Sequence, residues 1–204
     1  MNLSTQRLLW IVFWGKIELE GYVLNKIRIY ALLGMIGPLL AYLFIGISIA
    51  SATWFRWSKH ALSDLGHALR SESALYYNFG LAAAGLLIAI YAVTSLIGRA
   101  KYSGLCLAAS AFSLQLVAVF DEIYGHAHMI VSVMFFVLLL LSSLIYAIEK
   151  RSILAGLSFI LGFSAWLFYW MKLYSAGVAV PEIISATAAI SWIILSALEE
   201  LRKK

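Results

Sequence analysis

One cysteine, Cys106, stands in the whole chain, and only two prolines, Pro38 and Pro181. A lone thiol excludes an internal disulfide framework and leaves the redox compartment undetermined. Charge is scarce too: Asp, Glu, Lys and Arg make up 12% of the residues, against roughly 25% in ordinary soluble domains. That shortage excludes a disordered, charge-rich chain. What fills the space is apolar. Hydrophobic residues reach 63% of 204, more than a chain in water can hide beneath a polar surface. The formal net charge of +5 resembles a nucleic-acid signal, but in a membrane protein Lys and Arg mark the cytoplasmic side. No nucleic-acid partner is expected.

Six apolar stretches are long enough to cross a hydrocarbon layer about 30 Å thick at about 1.5 Å per helical residue. They cover residues 29–52, 75–97, 102–120, 127–148, 153–171 and 178–198. None holds Lys, Arg or Asp, and Glu182 is the only charged residue in any of them. A membrane barrel would show short segments of alternating polarity, and none occurs. The expected fold is all-α: a polytopic bundle of six transmembrane helices with a short N-terminal interfacial segment. It divides into an N-terminal segment (1–28), the membrane domain (29–198) and a tail (199–204). Within the first segment, residues 3–17 read as an interfacial helix anchored by Trp10 and Trp14.

Orientation follows from the basic residues. With the amino terminus inside, eleven Lys and Arg fall on the inner side, and Arg56, Lys59, Arg70 and Lys172 on the outer. This bias places both termini in the cytoplasm of a cell-membrane protein. Trp54, Trp57, Tyr76, Tyr77, Trp166 and Trp170 then lie at headgroup level, an interfacial belt with no ligand role. Gly80/Ala84 and Gly104/Ala108, small residues four apart, suit close helix contact. Gly34, Gly37 and Pro38 predict a kink in the first span.

With that topology the chemistry gathers on one side. All four histidines (His60, His67, His126, His128) lie outside, with Asp64, Asp121, Glu72, Glu122 and Glu182. If 58–65 is helical, His60, Ser63, Asp64 and His67 share one face, where imidazole and carboxylate could ligate a metal or act as a base pair. No His-Glu-x-x-His, His-x-x-x-His or Cys-x-x-Cys spacing occurs, so the residues assign neither metal nor cofactor. His128 sits just inside the fourth span, where an ionisable side chain should face protein or water. Asp121 and Glu122 read as acids ending a helix at water. Pro181 and Glu182 open the last span; there an acid complements the helix dipole, yet an intramembrane carboxylate is also a functional candidate. Three helix amino termini face outward beside four basic residues, an anion-binding arrangement that the nearby carboxylates oppose.

Three segments resemble a known family. Trp54-Phe55-Arg56-Trp57-Ser58-Lys59-His60-Ala61-Leu62-Ser63-Asp64-Leu65-Gly66 looks like the signature of an uncharacterised prokaryotic, largely archaeal membrane family, domain of unknown function 998. Tyr124-Gly125-His126-Ala127-His128 with Phe135-Phe136, and Gly177-Val178-Ala179-Val180-Pro181-Glu182 with Trp192, look like its second and third motifs. The resemblance covers about residues 29–198. It directs attention to Ser63, Asp64, His128 and Glu182, whereas His60, His67 and His126 do not match the family's pattern. A remoter likeness to intramembrane lipid hydrolases is analogy alone, since those have seven spans and a His-x-x-x-His pair.

Beside a purely structural or assembly role, two functions stay open. In the first, an outward polar cleft built from Ser63, Asp64, Asp121, His128 and Glu182 holds a lipid headgroup or small polar ligand, as a binder, sensor or transporter does. In the second, the same Asp, His and Glu serve a membrane-embedded lipid hydrolase or transferase, with or without a metal. Membrane lipid is the expected partner, and oligomeric state is not legible. In a Cys106→Ser background, Glu122→Cys in intact cells is expected to react with an impermeant thiol reagent and Lys204→Cys is not. Reversed labelling overturns the orientation.

Overall fold

A computed structural model describes residues 29–202; the expected interfacial helix at 3–17 and the last two tail residues lie outside them. Six helices cross the molecule: α1 (Ile29–Ser51), α2 (Ala74–Tyr91), α3 (Lys101–Val119), α4 (His126–Lys150), α5 (Ile153–Trp170) and α6 (Ala179–Arg202). A π turn, Ala92–Leu96, extends α2 into one continuous span. All six are long and apolar enough to cross a membrane, and no strand occurs among the described residues. The protein is a six-helix integral membrane bundle.

Helix ends follow backbone hydrogen bonding rather than the edge of apolarity. Thus α4 and α6 run on into their charged ends, to Lys150 and Arg202, beyond the apolar limits of the expected spans. Where the chain must reverse, side chains from elsewhere satisfy free helical N–H groups. Glu149 of α4 accepts from the backbone N–H of Tyr102 and Ser103, capping α3, and the Ser152 hydroxyl accepts from Ala155 N to start α5.

Consecutive helices pack side by side from α2 to α6, and α6 also contacts α4. The Tyr42 hydroxyl of α1 meets Thr187 of α6, which brings the last helix beside the first. Between helices the glue is small and polar, as in lipid, where apolar burial gives little drive. Ser110 donates to the Phe135 carbonyl, Ser142 to that of Ser103, and Ser158 to that of Ala188.

Glycines at helix contacts make close approach geometric. A Cβ on Gly34 would stand 2.7 Å from the Tyr91 ring, and one on Gly37 would meet the Ala84 carbonyl oxygen at 3.2 Å. The segment in which Gly34, Gly37 and Pro38 predict a kink stays helical throughout, and the missing side chains at the glycines let α2 lie against α1. Gly80 does the same beneath Phe44, whereas Gly104 accommodates Ile97 of the π-turn corner instead of a facing helix.

One end of the bundle is fastened by charge. Arg99, just beyond the π turn, donates to Glu200 (3.0 Å), to the Tyr146 hydroxyl (3.0 Å) and to the Ser196 carbonyl (2.9 Å). Trp192 stacks on Tyr146 and donates to Ser143 at 2.8 Å. The other end carries the long 53–73 connection, folded over the helix ends as a cap.

That cap depends on Gly177, whose Cβ would stand 2.7 Å from the His60 amide nitrogen, a backbone atom that cannot swing away. Gly177→Ala is expected to cost about 1–3 kcal/mol and to lower the thermal unfolding midpoint. The control, Gly46→Ala at a site with nothing within 4 Å, is expected to leave it unchanged or slightly raised. Equal midpoints for the two variants would refute this packing.

Candidate functional site

The 53–73 connection is not the helix that a shared face for His60, Ser63, Asp64 and His67 requires. Turns lead into a single 3-10 turn, Leu62–Gly66. The reason is tertiary: its backbone is bound elsewhere. Gly177 N donates to the Trp57 carbonyl at 2.9 Å, and Ala179 N, a free N–H at the start of α6, donates to that of His60 at 3.0 Å. The Ser73 hydroxyl holds the Leu65 carbonyl, and the Asn78 amide holds that of Gly66.

Within the 3-10 turn each residue has a distinct task. Leu62 and Leu65 are buried in the core beneath the cap. Asp64 accepts from Ala61 N at 2.9 Å and fixes the start of the turn. Ser63 points across to the α3–α4 connection and donates to Glu122 at 2.6 Å. Gly66 lies flat on Tyr77, where a Cβ would stand 2.7 Å from the ring.

Glu182 reaches the same turn from α6. Pro181, in the first helical turn, needs no N–H partner there, and Glu182 follows it into the interior at 7% exposure. One carboxylate oxygen accepts from Leu62 N at 2.7 Å. Its charge lies within electrostatic reach of Glu122 and Asp64. His128, at 8% exposure in the first turn of α4, closes the group. Its Nδ1 is 2.7 Å from the Phe120 carbonyl, which can only accept, so Nδ1 carries the hydrogen. Nε2 then faces the Ser132 hydroxyl at 3.3 Å and Glu122 at 4.0 Å.

The structure thus brings Ser63, Asp64, His128 and Glu182 around Glu122. Asp121 does something else. One oxygen caps the short Glu122–Tyr124 turn through Ile123 N, and the other holds Ala68 N at 3.1 Å and so straps the cap to the α3–α4 connection. Among the histidines, His60 takes Arg56 N and stacks on Phe55, His67 takes Leu69 N, and His126 is exposed; none joins the group. Among the described residues, no three or more His, Cys, Asp or Glu side chains are placed to hold a metal ion.

Two participants escaped the sequence reading. Glu122 read as a helix-end acid, and Tyr77 as a headgroup ring. Tyr77 is instead 5% exposed and lies within reach of Glu182, Glu122 and Asp64, while its neighbour Tyr76 is 48% exposed. Only helix phase separates the two tyrosines.

Beneath the cap lies a cavity of about 90 Å³, several times the roughly 10–15 Å³ that a single water needs. Its walls come from five helices, including Ile45, Leu114, Leu139 and Ile193, and Glu182, Ser63 and Tyr77 sit at its capped end. From Glu182 to Ile193 α6 rises about 16 Å. Apolar side chains over that length make an apolar channel with a carboxyl group at its head.

The residues from 35 to 199 match a family described as protein of unknown function, DUF998. The chain belongs to it. No curated protein and no solved structure matches. In this DUF998 protein the three motif segments read from the sequence are the parts that meet at the capped end: the 3-10 turn, the start of α4 and the start of α6.

Burial raises the Glu122 carboxyl above its ordinary range, and the adjoining Asp64 carboxyl adds to the effect; Ser63 and the His128 charge oppose it. Because the folded value is the higher one, this contribution to stability is complete below the ordinary carboxylate pKa of about 4.3 and is lost as pH rises through the folded value. Subtracting the Glu122→Gln melting profile from the wild-type profile is expected to leave a difference that falls as pH rises from about 4. A difference that is flat, or that rises with pH, contradicts the burial of Glu122 beside Asp64.

Proposed function

We propose that this DUF998 protein is a multi-pass cell-membrane protein that binds an amphipathic ligand, with the apolar part in the channel and the polar end at Glu182 beneath the cap. The observation that carries the reading is the channel itself: an apolar space inside the bundle that ends at a buried carboxylate. Ligand sites in helical bundles have this character, apolar walls with a few placed polar groups. The basic-residue bias supports placing the cap outside, with both termini in the cytoplasm.

A lipid hydrolase is the second reading, and one contact favours it. The Ser63 hydroxyl lies on the channel wall and donates at 2.6 Å to Glu122, the geometry of a hydroxyl beside a general base.

The test is what the protein carries out of the membrane. Solvent extracts of the purified protein, analysed by mass spectrometry, are expected to contain an enriched amphiphile that Leu139→Trp, which fills the channel, removes. Equal extracts from both proteins would end the binding reading. Ser63→Ala separates the two functions: a binder returns the wild-type extract, a hydrolase variant retains an uncleaved ester.

A further inference from the structure

The polar groups at the head of the channel select what can bind there, and this inference rests on the binding reading above. Glu182 is 7% exposed, and only one of its oxygens, the one facing Leu62 N, takes a hydrogen bond from the described residues. The Tyr77 hydroxyl, on a side chain 5% exposed that also lines the channel, makes none among the described residues. Ser63 has given its proton to Glu122 and offers the channel only lone pairs. The capped end therefore presents a buried acceptor, a hydroxyl and a second acceptor, with Asp64 and Glu122 behind them.

Among the described residues no Lys or Arg stands there to balance an anion. Arg56, Lys59, Arg70 and Lys172 are all exposed, and none lines the channel. The His128 ring is held by Phe120 and Ser132. Arg99 is bound to Glu200 in the network at the other end. A phosphate placed at Glu182 would be buried with no Lys or Arg lining the channel to pair with it, a costly state. An ammonium or hydroxyl head would meet the acceptors it needs, and leaving Glu182 unpaired is the costlier state.

We propose that the channel takes an amphiphile whose head carries N–H or O–H donors and no phosphate or other anionic group.

The experiment uses the full chain in phosphatidylcholine nanodiscs and three photoreactive probes with one alkyl tail and different heads: primary amine, primary alcohol and phosphate monoester. A diazirine near the tail end reports residues deep in the channel, such as Leu139 and Ile193, by peptide mass spectrometry. The amine and alcohol probes are expected to label these residues about tenfold more than the phosphate probe. Glu182→Gln is expected to lower amine labelling by about tenfold; Tyr77→Phe, which keeps the ring, is expected to lower alcohol labelling. Phosphate labelling equal to or above the amine's overturns the head-group inference and leaves the binding reading standing. Labelling that neither variant changes also overturns it. If no probe reaches the channel in wild-type protein, the binding reading itself falls.

Discussion

The hydrogen bond from Leu62 N to Glu182 is the contact on which the capped end depends. It joins residues 120 apart and satisfies a backbone donor that the 3-10 turn leaves free. Without it the carboxylate would be buried with no partner, a state that costs more than the bond itself contributes. With the bonds that Gly177, Ala179, Ser73 and Asn78 make to the same connection, it sets where the turn lies, so that Ser63 faces Glu122 and Gly66 lies on Tyr77.

The two ends of the bundle solve the same problem with opposite economies. At the Arg99 end a guanidinium spreads its donors over α4 and α6, so charge is matched by charge and by hydrogen bonds. Such a network holds helices in register; breaking one member costs several kcal/mol, about 3–5. At the capped end carboxylates outnumber cations, and backbone N–H groups supply much of the compensation. One end is finished as structure, whereas the other keeps acceptors in hand.

The six helices were legible because a hydrocarbon layer demands about 20 apolar residues from each, and a stretch without Lys, Arg or Asp has few other uses. Convergence of Ser63, Asp64, His128 and Glu182 was legible from topology and family resemblance together, since both place them at one end. Glu122 was not, because an acid closing a helix at water and an acid turned inward to Ser63 look alike in sequence. Tyr77 and Tyr76 differ only in the face of α2 that packs, which depends on α1 lying against Gly80. The helix expected over 58–65 failed for a related reason: its carbonyls and N–H groups are claimed by Gly177, Ala179 and Glu182, all more than a hundred residues away. Local propensity cannot see partners at that distance.

The distance between those partners has a consequence for biosynthesis. A ribosome delivers α1 and α2 to the membrane long before α6, and the 53–73 connection must wait through three further helices for its fasteners. During that interval the carbonyls of Trp57 and His60 and the N–H of Leu62 lack the partners they hold in the finished bundle. The nascent protein therefore holds that connection unfastened over an unfinished channel, and the arrival of α6 both fastens the cap and supplies the missing wall.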